Sequence, residues 1–182
     1  QPYLLYVGTL EPRKNLARLV QAWQSLDVTE RADYQLVIVG VKGWMIESLL
    51  AQAHESAKQR AAVEVLGHVS NSSLDALLKH ATAFVYPSLY EGFGLPVIEA
   101  MAAGVPVLTS NVGATREIAH DAALLVDPHS VPAIEQGLSA LLQDQTLRQK
   151  LATAGRVRAA QYDWARTAAL TLDALISATK AG

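Results

Sequence analysis

The chain has 182 residues, enough for one sizeable domain with its own core, and carries 15 Lys and Arg against 17 Asp and Glu, a formal net charge of −2. It is 51% hydrophobic and only 18% charged, which excludes a disordered chain, and the lack of any basic run argues against broad nucleic-acid binding. Cysteine is absent, which removes disulfides and thiolate metal sites and fits a reducing, cytoplasmic compartment. No apolar stretch approaches the length of a membrane span, and the opening Gln1–Val7 is too short for a signal peptide. Without an initiator Met, and starting almost directly in a strand, the chain is expected to be a fragment or excised domain.

Strand-like and helix-like segments alternate. Tyr3–Val7 is an apolar run ending at Gly8, after which Leu16, Leu19, Val20, Trp23 and Leu26 recur at helical spacing. Gln35–Val39 ends at Gly40, and Trp44–Lys58 reads as a helix. Ala62–Leu66 ends at Gly67, and a helix is predicted over Ser72–Ala81, with Ser72 and Asp75 spaced as a capping box. Ala83–Tyr86 reads as a buried strand. Pro96 suits the first turn of the following helix, and Gly104 closes that helix ahead of the strand Val105–Ser110. Ala122–Val126 is a last short strand. From Val131 onward the pattern is helical, with breaks predicted at Gly155 and at Tyr162-Asp163-Trp164. Six strands alternating with helices predict an α/β fold: a doubly wound, parallel, Rossmann-like sheet with helices on both faces. The strand runs lack polar alternation, as strands buried on both faces do. No repeat or linker interrupts residues 1–182, which read as one domain.

Two loops at strand ends carry the chemistry. Glu91-Gly-Phe-Gly-Leu-Pro-Val-Ile-Glu99 sets carboxylates either side of a Gly-rich turn that opens a helix. In a βαβ unit such a turn lies at the carboxyl edge of the sheet, where open α/β folds bind ligands. Gly92 and Gly94 let backbone N–H groups approach a ligand, the helix start attracts anions, and the two carboxylates suit sugar hydroxyls. Glu99 also has a simpler reading, as an acid in the first turn that offsets the helix dipole. The other loop, Gly8-Thr-Leu-Glu-Pro-Arg-Lys-Asn-Leu16, sets Arg13 and Lys14 at the positive end of a helix, where each cation is disfavoured by about 0.3–1 kcal/mol. Either an anion lies between them and the exposed N–H groups, or both reach into water or pair with Glu11.

The common nucleotide fingerprints are missing. There is no G-x-x-x-x-G-K-[ST], Gly92-x-Gly94-x-x-Val97 lacks the third glycine of a dinucleotide motif, and no D-x-D pair stands ready to hold a metal on a diphosphate. A diphosphate held without metal needs fixed cations and helix N-termini, which Arg13, Lys14 and the loop Gly92–Leu95 offer. His54, His68, His80, His120 and His129 have no ligand-like spacing, and of these only His68 follows a strand and its glycine. Ser88 and Ser110 end strands outside any nucleophile-elbow sequence, and Trp23, Trp44 and Trp164 read as packing residues.

In order along the chain stand Gly8-Thr-Leu-Glu-Pro-Arg-Lys-Asn15, Val37-Ile-Val-Gly40, Leu66-Gly-His-Val-Ser70, Tyr86-Pro-Ser-Leu-Tyr-Glu-Gly-Phe-Gly-Leu-Pro-Val-Ile-Glu99 and Leu125-Val-Asp-Pro128. This set closely resembles the C-terminal, donor-binding half of the family-4 (group 1) retaining glycosyltransferases, which have the two-domain GT-B fold. The E-x7-E spacing from Glu91 to Glu99 is that family's signature. The resemblance implies a nucleoside-diphosphate-sugar donor, with no cofactor and no metal. By it Glu99 holds the ribose hydroxyls, and Glu91 lies beside the donor sugar near the reacting carbon. The backbone of Gly92, Phe93, Gly94 and Leu95 binds sugar hydroxyls and the distal phosphate. Arg13 and Lys14 neutralise the departing diphosphate, Gly8 and Thr9 border it, and the His68-Val69 loop with Leu74 receives the base.

Thr9 stands where many relatives carry Arg, which places more weight on Arg13 and Lys14, and Thr115-Arg116 replaces a common Leu-Pro before Glu117. The Thr-Leu-Glu-Pro-Arg-Lys-Asn stretch with Lys42-Gly-Trp44 is similar to bacterial mannosyltransferases that use GDP-mannose. That similarity implies hexosyl transfer to a glycan or lipid-linked acceptor in polysaccharide biosynthesis, in the cytoplasm or at the cytoplasmic face of a membrane. It also implies a missing N-terminal acceptor domain, on which the helix over residues 163–182 packs. The alternatives are a non-catalytic nucleotide-sugar-binding module or another GT-B enzyme of phosphorylase or epimerase type.

Overall fold

The structure, a computed structural model, describes residues 1–41, 43 and 63–180. Among these, β1 (Tyr3–Val7), β2 (Gln35–Val39), β3 (Val63–Gly67), β4 (Ala83–Tyr86), β5 (Val107–Ser110) and β6 (Leu124–Val126) form one sheet in the order β3-β2-β1-β4-β5-β6. All neighbours are parallel, with Tyr3 opposite Gln35 and Val7 opposite Val39 at the centre. The order reverses between β1 and β4, so the loops leaving these two strands diverge and open a crevice at the carboxyl edge. Every residue of β4 and β5 is buried, which suits the apolar run Ala83–Tyr86, while the buried hydroxyls of Thr109 and Ser110 in β5 donate to Tyr86 O and Ser88 O.

The helices are α1 (Leu16–Ser25), α2 (Val28–Arg31), α3 (Asn71–His80), α4 (Leu95–Ala102), α5 (Gly113–Ala119), α6 (Val131–Gln143), α7 (Gln145–Ala159) and α8 (Trp164–Lys180). Helix α1 buries Leu16, Leu19, Val20 and Trp23 and packs on α6, while α4 packs on α7. The doubly wound sheet is therefore the one the strand and helix alternation predicts.

Three local expectations are corrected. Helix α3 is capped by Ser70, whose extended backbone lets Oγ accept from the Ser73 N–H at 3.2 Å; Ser72 already lies inside the helix, so no capping box forms with Asp75. Gly155 does not break a helix. It sits within α7 because a Cβ there would stand 3.2 Å from Met101 Cγ, and its absence lets α4 and α7 approach closely. The break falls instead at Asp144, whose carboxylate accepts from the Leu147 N–H at 2.8 Å. Trp23 is fully buried as expected, but Trp164 is 80% exposed at the start of α8. The short α5 has too few turns to show a period. Lys42, Trp44, His54 and the helix expected over Trp44–Lys58 lie outside the described residues.

Gly40, at the end of β2, shows how tightly the sheet closes under the crevice. Its N–H donates to Gly67 O at 2.9 Å, and a Cβ at this position would lie 1.8 Å from Gly8 O. Because the obstacle is backbone, Gly40→Ala is expected to cost about 1–3 kcal/mol or more in urea unfolding. An unchanged midpoint would show that the ends of β1 and β2 are free to spread.

Candidate active site

The chain leaving β1 passes through Gly8 to a 3-10 turn over Pro12–Lys14, and Asn15 then adopts φ 63° before α1. Asparagine is one of the few non-glycine residues that tolerate this left-handed conformation. Its side chain also holds the crevice together: Nδ2 donates to Pro87 O at 2.8 Å and to Pro128 O at 2.7 Å, both buried. The loops after β1 and β4 are stitched directly. Leu89 N–H donates to Arg13 O at 2.8 Å, and Ser88 Oγ lies 3.0 Å from the same oxygen. These bonds fix Arg13 and Lys14 against Glu91.

The charged groups form one network. Lys14 Nζ lies 2.7 Å from Glu91 Oε1, donates to Tyr86 Oη at 2.5 Å, and stands 5.1 Å above the Tyr86 ring. Ser88 Oγ donates to the same Glu91 Oε1 at 2.7 Å. Arg13 Nη1 reaches Glu91 Oε2 at 3.2 Å and Tyr90 O at 3.3 Å, while its Nη2 lies 2.6 Å from Glu11 Oε1. The Lys14 and Glu91 side chains are 9% and 8% exposed, and that of Arg13 is 47% exposed. Lys14 and Glu91 are thus a fixed buried pair, and Arg13 is a half-open cation shared between two carboxylates. The pairing with Glu11 is realised, and both cations also face the glycine turn through Glu91.

Burial alone pushes the Glu91 carboxyl up, but hydrogen bonds from Lys14, Ser88 and Tyr86, with the Lys14 charge, hold it below the ordinary glutamate range. Tyr86 is pushed far up by burial and by the negative charge of Glu91, so its hydroxyl stays protonated. Tyr6 stacks on Tyr86 with ring centroids 5.6 Å apart. Its buried hydroxyl has no hydrogen-bond partner among the described residues and lies beneath Gly8, where a Cβ would come within 2.9 Å of it.

Across the crevice, Gly94 at φ 104° is the N-cap of α4, a conformation that glycine supplies without steric cost. The first turn of α4 has no side-chain cap and no acidic residue to offset its positive end; Pro96 lacks an N–H, and the Val97 N–H donates to Gly94 O at 3.0 Å. Glu99 is the fifth residue of that helix and exposed, which overturns its reading as a first-turn acid. It lines a groove of about 550 Å³ between α3 and α4 together with Leu74, Asn71 and Asp75. His68 is exposed and Val69 half-buried just before α3. Thr9, Gly92, Phe93 and Leu95 are exposed along the crevice, and Gly8 is half-buried. The Phe93 ring meets Tyr162 edge-on at 6.0 Å.

The structure therefore brings Arg13, Lys14 and Glu91 into direct contact and puts Glu99 with Leu74 in an adjoining groove. Sequence reasoning missed the parts played by Tyr86, Ser88 and Asn15. The signal that could have found the first two is a pair of hydroxyls at the end of an apolar strand, with Ser88 three residues before Glu91. No group of His, Asp and Glu suited to a metal occurs among the described residues.

The Glu91 network has a measurable pH signature. Because the folded carboxyl titrates below the unfolded one, Glu91 contributes stability above the ordinary glutamate pKa of about 4.3, and that contribution is lost as pH falls through the lower folded value. Glu91→Gln is expected to be less stable than wild type at about pH 7, with the gap narrowing as pH falls below the ordinary glutamate range and through the depressed folded value. A gap that stays constant over that range would mean the carboxylate is not held ionised by its neighbours.

Comparison with known proteins matches this arrangement to a family. The family model described as Glycosyl transferases group 1 matches residues 1–158. The chain is 41% identical over 174 residues to the O-antigen chain mannosyltransferase B of Escherichia coli, covering 96% of this chain and 45% of that protein. It is 34% identical over 180 residues to a glycogen synthase of Mycobacterium tuberculosis, covering 97% of this chain and 43% of that protein. Among solved structures, sucrose-phosphate synthase from Thermosynechococcus elongatus superposes with a TM-score of 0.81 at 28% identity, over 100% of this chain and 46% of that one. WaaG, a glycosyltransferase involved in lipopolysaccharide biosynthesis, gives 0.77 at 28% identity, over 90% of this chain and 44% of that one. The chain thus spans a little under half the length of these relatives. Its six-stranded parallel sheet and its sequence agree on one conclusion: this chain belongs to the group 1 glycosyltransferases, as a C-terminal domain of their GT-B fold.

Proposed function

We propose that this chain is the donor half of a retaining hexosyltransferase that binds a nucleoside-diphosphate sugar between the loops leaving β1 and β4. The observation that carries the reading is the meeting of Arg13, Lys14 and Glu91, with Glu91 in the loop that opens the uncapped start of α4. The donor sugar is mannose carried by GDP, a reading supported by the 41% identity to the Escherichia coli mannosyltransferase. The acceptor is a glycan or lipid-linked glycan, and the transfer takes place in the cytoplasm or at its membrane face. Among the described residues no helix is long and apolar enough to cross a membrane.

The chemistry follows from charge. As the bond from the anomeric carbon to the diphosphate oxygen breaks, negative charge grows on the leaving group and positive charge on the sugar. Arg13, Lys14 and the α4 amides offset the first; losing one such preorganised donor typically costs ~2.7–4 kcal/mol of barrier. Glu91, kept ionised in direct contact with these two cations, is the nearby negative charge that offsets the second. A carboxylate occupied by four donors is a poor proton acceptor. The acceptor hydroxyl therefore attacks from the face the diphosphate leaves, and its proton passes to the departing phosphate oxygen. No metal takes part in this scheme. Glu99, with Leu74 and the His68-Val69 loop, takes the ribose and base in the groove between α3 and α4.

The remaining half of the site comes from chain beyond this domain. Helix α8 exposes Trp164, Leu170, Leu172, Leu175 and Ile176, and these pack on the N-terminal acceptor domain.

Two measurements test this reading. In calorimetry Lys14→Ala should weaken GDP binding by ~1–3 kcal/mol, the scale of a lost charged hydrogen bond, and an unchanged affinity would remove Lys14 from the site. Glu99→Gln should weaken GDP but leave its 2′,3′-dideoxy analogue unaffected. Equal binding of the two nucleotides by wild type would refute the ribose assignment.

A further inference from the structure

Arg13 differs from Lys14 in what holds it. Lys14 is buried and gripped by Glu91 and Tyr86. Arg13 is half-open to water and lies between Glu11 and Glu91. The network counts two cations and two carboxylates, so in the empty site its charge sums to zero. An arriving diphosphate meets cations that are already neutralised. One contact is built to yield. Glu11 Oε1 lies 2.6 Å from Arg13 Nη2, yet this buried oxygen receives no well-directed hydrogen bond. The Glu11 backbone carbonyl accepts from the Lys14 N–H at 3.0 Å, which fixes the main chain from which its carboxylate reaches Arg13.

We propose that Glu11 is a competing counter-ion: it occupies Arg13 in the empty site, yields it to the incoming diphosphate, and reclaims it as the product leaves. The proposal rests on the reading of this crevice as a diphosphate site. Its consequence is an exchange of one anion for another on a single guanidinium. Binding is weaker than two bare cations would give, and release of the nucleoside diphosphate is faster. An anion with less charge than a diphosphate displaces Glu11 less well, so the exchange also favours a diphosphate over a monophosphate.

Calorimetry with inorganic pyrophosphate and with GDP decides the matter on wild type, Glu11→Gln, Arg13→Ala and the double variant. Glu11→Gln is expected to tighten both ligands about tenfold, ~1.4 kcal/mol. In the Arg13→Ala background the same change should alter affinity by less than about twofold. Glu11→Ala serves as a second variant should the amide fail to fold, with near-ultraviolet circular dichroism as the check on folding. A Glu11→Gln protein that binds no more tightly overturns the proposal. So does a gain of equal size without Arg13, which would reflect the general field of one fewer negative charge. Wild type that binds neither ligand would remove the diphosphate site itself, whereas wild-type binding with an unresponsive Glu11→Gln removes only the exchange.

Discussion

A lysine and a glutamate 2.7 Å apart, both almost wholly out of water, organise the carboxyl edge of this sheet. Taking either charge from water costs several kcal/mol, and removing one partner of such a pair costs about 3–5 kcal/mol. The pair persists because hydrogen bonds use up its remaining capacity: Tyr86 and Ser88 complete the shell around Lys14 and Glu91. Each member comes from a different loop, so the same contacts that neutralise the charges also lock the loop after β1 to the loop after β4. Asn15 extends this locking to the chain leaving β6. The crevice at the switch point is thereby shaped before any ligand arrives.

That preorganisation suits a reaction in which charge separates. Cations and a carboxylate already fixed against one another by a rigid scaffold need little rearrangement as a bond beside them breaks heterolytically. Arg13 is the exception in rigidity, being half-exposed and divided between Glu11 and Glu91. The site combines a fixed buried pair with one adjustable cation, and this division of labour separates holding the geometry from admitting and releasing a charged ligand.

The sheet was legible because six strand-like runs ending in glycine or at a strand-closing turn leave few other folds. Burial on both faces erases alternation in β1, β2, β4 and β5, whereas the edge strand β3 alternates. The E-x7-E spacing and the cations at Arg13 and Lys14 located the crevice, since a positive helix end is a poor place for two basic residues. The partners were not legible. Nothing in a linear sequence says that Lys14 will meet Tyr86, 72 positions away, or that Asn15 will bridge to Pro128. Those contacts exist only once the parallel order β3-β2-β1-β4-β5-β6 sets the strand ends side by side. Helix ends misled for a simpler reason. Ser70, Ser72 and Ser73 are chemically equivalent caps, and only the extended backbone at Ser70 selects among them. Gly155 looked like a break, but its small size is used for the approach of Met101.

A crystal structure of this chain soaked with GDP addresses the electrostatic arrangement at its root. The expected density places the diphosphate within hydrogen-bond distance, about 3 Å, of the Arg13 guanidinium and of an amide at Gly94 or Leu95, with the ribose against Glu99. Phosphates bound through a metal ion away from Arg13, or a nucleotide seated at the amino edge of the sheet, would contradict it.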